Sequence, residues 1–93
     1  MNDQLRWTDA ALRDLRRLDM TTHERVITAV TRFIETGHGD VKRLRGNPVE
    51  FQLRVGNVRV RFSHETETDH ESVTATSIFV VHRVLPRDHA YRG

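Results

Sequence analysis

Arg54, Arg59, Arg61, Arg83 and Arg87, followed by Tyr91, are concentrated in the back half of this 93-residue chain, on segments whose pattern reads as β-strand. A strand sends successive side chains to opposite faces, so arginines at alternate positions lie together on one rigid, exposed surface. Guanidinium groups fork onto phosphate oxygens and stay charged at physiological pH, so such a surface can grip a polyanion. The same alternation also describes the solvated face of an ordinary half-exposed sheet.

The elements that carry these arginines are a hairpin and a long last strand. Phe51, Leu53 and Val55 alternate with Gln52 and Arg54 ahead of the turn dipeptide Gly56-Asn57, and Val58, Val60 and Phe62 alternate with Arg59 and Arg61 after it. One face of the hairpin is apolar and the other bears arginine. The acidic stretch from Glu65 to Glu71 reads as a hairpin tip. From Ser72 to Leu85 the chain is β-branched and apolar on both faces around Ile78-Phe79-Val80-Val81, the pattern of a strand buried on two sides and central in its sheet. Pro86 ends it, leaving Arg87 to Gly93 as a short tail.

The front half reads as helical. Leu5-Arg6-Trp7 forms a short first strand, and Thr8 then caps a helix reaching Leu18, with Ala11, Leu12, Leu15 and Leu18 as its apolar stripe and Arg13, Asp14, Arg16 and Arg17 on the other side. Thr21 and Glu24 have capping-box spacing and open a second helix, striped by Val26, Ile27, Val30, Phe33 and Ile34 and stopped at Gly37. The short connection Asp19-Met20 predicts an antiparallel helix hairpin. His38 to Pro48 reads as a basic loop, with Lys42, Arg43 and Arg45 ahead of the turn signal Gly46-Asn47-Pro48. The expected fold is therefore α+β, an N-terminal helix hairpin packed on one face of a small antiparallel sheet, in a single domain spanning 1–93.

Lys and Arg total 15 against 13 Asp and Glu, giving a net charge of +2, and the absence of cysteine excludes disulfides, a thiol nucleophile and a cysteine zinc site. His64 and His70 lie among Glu65, Glu67, Asp69 and Glu71; this reads as a solvated acidic tip, not a metal site, and no cofactor is expected. Residues 1–4 do not begin a signal peptide and no apolar run approaches membrane-spanning length, so a cytoplasmic protein without a membrane partner is expected.

Four segments together resemble the RelE/ParE superfamily of bacterial toxins from type II toxin–antitoxin modules, across nearly the whole chain. They are Trp7-Thr8-Asp9-Ala10-Ala11-Leu12-Arg13-Asp14-Leu15, Gly39-Asp40-Val41-Lys42-Arg43-Leu44-Arg45-Gly46, Phe51-Gln52-Leu53-Arg54-Val55-Gly56-Asn57-Val58-Arg59-Val60 and Arg87-Asp88-His89-Ala90-Tyr91-Arg92. The resemblance implies either a RelE-type, metal-independent endoribonuclease that cuts mRNA on the ribosome, or a ParE-type inhibitor that binds DNA gyrase without catalysis; a decayed toxin that only binds its antitoxin is a third reading. It also implies a cognate antitoxin as partner. For the ribonuclease it places activity on Arg59, Arg87 and Tyr91, with Gln52 and Arg54 at the basic positions of the preceding strand. Gln52 departs from the best-known RelE type, where a lysine stands as candidate proton acceptor.

RNA can be cut by its own 2′-hydroxyl, so a metal-free enzyme must align that attack, neutralise phosphoryl charge and manage two protons. Arg59 and Arg87, with Arg54 or Arg61, suit the phosphate. Tyr91 suits stacking or proton transfer, or else simply anchors the tail. His82 is a candidate acid or base, imidazole being a side chain suited to proton transfer, or is a half-buried histidine sharing parity with Ile78 and Val80. Lys42, Arg43, Arg45, Arg54, Arg61 and Arg83 are the candidate RNA-backbone contacts; for the first three the alternative is a solvated loop.

Overall fold

The computed structural model describes residues 2–68 and 75–87. Its elements run β1 (Asn2–Trp7), α1 (Asp9–Arg16), α2 (Met20–Thr36), β2 (Asp40–Arg43), β3 (Phe51–Val55), β4 (Val58–Thr68) and β5 (Ala75–Pro86). Among the described residues the strands form one sheet in the order β1-β5-β4-β3-β2; β1 is parallel to β5 and every other pairing is antiparallel. No helix among them is long and apolar enough to cross a membrane.

Thr8 caps α1 as expected, its Oγ1 accepting the Ala11 N–H at 3.1 Å. The helix closes at Arg16, short of Leu18, because the Arg17 and Leu18 N–H groups reach back three residues to the carbonyls of Asp14 and Leu15 and tighten the last turn. The cap of α2 is Asp19, not the expected Thr21. Its carboxylate accepts the Thr22 N–H at 2.7 Å, and that bond holds the carboxyl below its ordinary range. An acid outcompetes a threonine hydroxyl here because its charge also meets the positive end of the helix. Gly37 ends α2 in the left-handed region at φ 76°, donating to the Phe33 carbonyl.

Ala11 and Leu15 of α1 and Val26 and Val30 of α2 pack on Leu53, Val55, Val58, Val60, Phe62, Val81 and Val84 of the sheet. Phe33 of α2 stands over Phe62 and Phe79, with ring centroids 5.4 and 6.1 Å away, and Phe51 stacks on Phe62 at 5.5 Å. The helices thus cover one face of the sheet.

Two segments expected outside the sheet belong to it. Asp40–Arg43 is an edge strand paired with β3, where charged side chains at alternate positions are tolerated because one side meets only solvent. The acidic stretch through Thr68 continues β4, pairing Glu65 with Ile78 and Thr68 with Ala75; the ladder to β5 and the β-branched Thr66 and Thr68 outweigh the acidic composition. The turn beyond Thr68, including His70, lies outside the described residues. β5 is interior, flanked by β1 and β4, and it carries a β-bulge: Arg61 opposes Arg83 but Phe62 opposes Val81, leaving His82 as the extra residue. The apolar run Ile78-Phe79-Val80-Val81 lies before the bulge in regular register, with Ile78 buried on the face opposite Val81. The bulge resets the alternation so that Val81 and Val84, three residues apart, both enter the core.

Candidate functional site

On the face turned from the helices, the register aligns two rows of side chains. One runs Asp40, Arg54, Arg59, Leu85, and the next runs Lys42, Gln52, Arg61, Arg83. Arg54 and Arg59 are directly opposed across the β3–β4 hairpin, as are Arg61 and Arg83 across β4–β5. Like charges facing each other destabilise a sheet unless an anion sits between or beside them. A cleft of about 140 Å³ opens here, lined by Asp40, Lys42, Gln52, Arg54 and Arg59.

The two opposed arginines differ in burial. Arg54 is exposed, as the alternation predicts. Arg59 is only 4% exposed, contrary to that expectation: its Nη1 donates to the Gly56 carbonyl at 3.2 Å and the Val58 carbonyl at 3.3 Å. The side chain folds back toward the turn of its own hairpin instead of reaching into solvent. Its guanidinium is therefore fixed before any ligand arrives. Arg87 is exposed, and its main-chain N–H donates to the Asn57 carbonyl, which brings it to the same hairpin turn.

Arg61 is half-buried, and its Nε is a buried N–H with no acceptor among the described residues. Arg83 is drawn off the face. Although it is the cross-strand partner of Arg61, its Nε donates to Asp14 Oδ2 at 2.8 Å and its Nη2 to Oδ1 at 3.2 Å. Asp14 also accepts the Val84 N–H at 2.9 Å. Burial pushes the Asp14 carboxyl up, but the bonds from Arg83 and Val84 and the charges of Arg83 and Arg17 outweigh it and hold the group below its ordinary value.

His82 is half-buried, as one reading of the sequence has it, with Nε2 2.8 Å from Ser63 Oγ and its carbonyl accepting the Thr8 hydroxyl at 3.0 Å. Lys42 reaches the cleft. Arg43 pairs with Phe51 on the opposite parity and Arg45 follows the strand, both exposed and outside the cleft lining. Tyr91 lies outside the described residues. His64 stacks flat on Phe79 with centroids 4.4 Å apart, and among the described residues no three His, Asp or Glu side chains are grouped to hold a metal ion.

Sequence reasoning missed Asp14 and Ser63. Asp14 was indistinguishable from the polar side of α1, although it is the one acid among Arg13, Arg16 and Arg17; nothing in local sequence singles out Ser63. A second opening, a groove of about 610 Å³, runs between α2 and the sheet, with Ala29, Gly39 and Leu53 in its lining and three arginines, Arg25, Arg32 and Arg54, outweighing the one acid, Glu24.

No protein-family model matches the chain, and no curated protein matches it significantly in sequence. Solved structures do match its fold. The RelE–RelB complex of Pyrococcus horikoshii OT3 aligns with a TM-score of 0.66 at 16% identity, covering 94% of this chain and 97% of that one. The toxin–antitoxin complex RelBE2 of Mycobacterium tuberculosis aligns at 0.53 with 26% identity, covering 94% and 100%. An arginine-substituted form of the E. coli toxin RelE in the free state gives 0.61 at 22% identity, covering 98% and 90%. The chain has the RelE fold, two helices on a five-stranded, mostly antiparallel sheet, as the resemblance in sequence implied.

Proposed function

We propose that this chain is the toxin of a toxin–antitoxin pair and cleaves mRNA on the ribosome without a metal ion. The observation that carries the reading is the opposition of Arg54 and Arg59 beside the cleft, one side chain exposed and the other buried and hydrogen-bonded to its own turn. A fixed donor stabilises charge that develops during phosphoryl transfer without reorganising at that moment, and one such donor is typically worth about 10²- to 10³-fold in rate. In this reading Arg59 neutralises the phosphate, Arg87 closes on it from the hairpin turn, and Arg54 and Lys42 hold the flanking backbone. The ribosome aligns the 2′-hydroxyl for attack, which accounts for a site whose Gln52 supplies no base.

The solved neighbours that are complexes with RelB support a cognate antitoxin as partner. The groove beside α2 combines apolar lining with Arg25, Arg32 and Arg54, which suits an acidic, amphipathic segment that folds on binding and continues over the cationic face. Inhibition then follows from covering Arg54 and Arg59.

Induction of the chain alone tests the proposal. Protein synthesis should stop rapidly, with mRNAs cut inside coding regions, and co-expression of the antitoxin should prevent both. Translation that continues while DNA breaks accumulate would assign gyrase as the target instead.

A further inference from the structure

We propose that Ser63 is a positioning residue for His82, and that the pair supplies the proton acceptor for cleavage at the phosphate that Arg59 neutralises, with Arg61 between Arg59 and Ser63 on the same face of β4 as a further clamp. The inference rests on the mRNA-cleavage reading and adds to it the base that Gln52 cannot provide.

Ser63 follows Arg61 by two residues on β4, so both side chains leave the strand on the arginine face while Phe62 between them enters the core. His82 reaches that face because it is the bulged residue of β5, and a bulge re-aims a side chain that regular pairing would place elsewhere. The bulge is clamped from both sides. Thr8 donates its N–H to the Val81 carbonyl at 3.0 Å and its hydroxyl to the His82 carbonyl at 3.0 Å, and Asp14 accepts the Val84 N–H at 2.9 Å. With the main chain held, the 2.8 Å contact of Nε2 with Ser63 Oγ fixes the ring.

A purely structural network would be expected to satisfy its buried donors. Here the adjacent Arg61 keeps a buried Nε–H with no acceptor among the described residues, while Arg83, its cross-strand partner, has found Asp14. A guanidinium with one buried N–H left without an acceptor among the described residues, on the same face as an oriented imidazole, is an arrangement that an incoming phosphate can complete. Gln52 stands opposite Arg61 on β3, so the proton acceptor missing from that position is replaced from the other side, by β5.

In the tautomer that donates Nε2–H to Ser63, the lone pair of the ring is on Nδ1. The 2′-hydroxyl proton passes to Nδ1 as the O2′–P bond forms; the P–O5′ bond breaks and O5′ takes a proton from water. The products are a 2′,3′-cyclic phosphate and a 5′-hydroxyl end. Ser63 stays out of the bond changes and acts only through the imidazole.

The test is single-turnover cleavage of ribosome-bound mRNA by the wild-type protein, Ser63→Ala, Ser63→Thr, His82→Gln and the Ser63→Ala/His82→Gln double variant, with thermal melts of each. Ser63→Ala should lower kcat about tenfold at unchanged KM, below the effect of about 10²-fold or more expected for His82→Gln. Ser63→Thr, which keeps the hydroxyl on a strand-favouring residue, should cleave close to the wild-type rate. The double variant should match His82→Gln alone, since a residue that works through the ring has nothing left to position. Undiminished cleavage by Ser63→Ala, or an equal further loss when it is added to His82→Gln, overturns the inference while leaving the cleavage reading intact. Absence of cleavage by the wild-type protein overturns both.

Discussion

Asp14 of α1 accepts the Val84 main-chain N–H at 2.9 Å while it pairs with the Arg83 guanidinium at 2.8 Å, so one carboxylate ties the first helix to the free edge of β5. β1 covers that edge only as far as Val81, and the N–H of Val84 beyond it would otherwise be a buried donor without a partner. The same contact removes Arg83 from the cationic face and fixes the strand just past the bulge at His82. Stability and the geometry of the candidate site therefore meet in a single side chain.

Asp14→Asn tests the charge alone, because the amide oxygen can still accept from Val84. Arg83 is nearly half exposed, so its share is discounted for solvent screening, and the expected loss at neutral pH is about 1 kcal/mol. The carboxyl is depressed on folding. Its contribution is complete above its unfolded pKa, about 3.9, and is lost as pH falls through the lower folded value. Urea denaturation should show the gap between wild type and variant at pH 7 and a smaller gap in strong acid. An equal gap at both would mean that the charge is not the source.

Arg59→Ala should cost both function and stability. The lost guanidinium leaves the Gly56 carbonyl without its donor and empties a buried space, worth about 1–2 kcal/mol together. Cleavage should fall about 10²- to 10³-fold. Arg59→Lys keeps the stem and charge and should regain most of the stability without regaining the rate, since an ammonium cannot reproduce the fork. Urea melts beside ribosome-bound cleavage separate the two effects.

The apolar alternation of residues 51–62 was sufficient to set the hairpin, its faces and the Gly56-Asn57 turn, because the core lies on one side only. Thr8 and Gly37 were equally visible as a cap and a stop. What local pattern does not contain is the pairing of distant segments. The bulge at His82 follows from how β5 meets both β4 and the β1–α1 junction, and the burial of Asp14 depends on a strand edge 70 residues away. Arg59 looked exposed because alternation reports a face, whereas its burial comes from a contact with its own turn. β2 was hidden by its charges, which an edge strand accepts and a central one would not.

Gly56→Ala isolates backbone strain at that turn. Gly56 sits at φ 57°, and an added Cβ would meet Arg25 Nη1 no closer than 3.6 Å, an ordinary contact. The expected loss of about 1–2 kcal/mol is therefore the penalty for a left-handed L-residue. Gly56→Asn should lose less, because asparagine visits that region more readily. Equal denaturation midpoints for the two variants would show that space, not conformation, decides the position.

Arg54 and Arg83 carry the same charge on the same sheet, and the structure predicts opposite consequences for removing them. Arg54 is exposed beside the cleft, so Arg54→Ala should leave stability within about 0.5 kcal/mol of wild type. It should weaken binding to single-stranded RNA and reduce the slope of log K against log salt by about 0.7, the value for one lost phosphate contact. Arg83 is committed to Asp14, so Arg83→Ala should lower stability and leave the salt slope unchanged. Binding measured across a salt series, with urea melts of the same two variants, distinguishes them. A salt slope that falls equally in both would mean that Arg83 leaves Asp14 to meet the RNA.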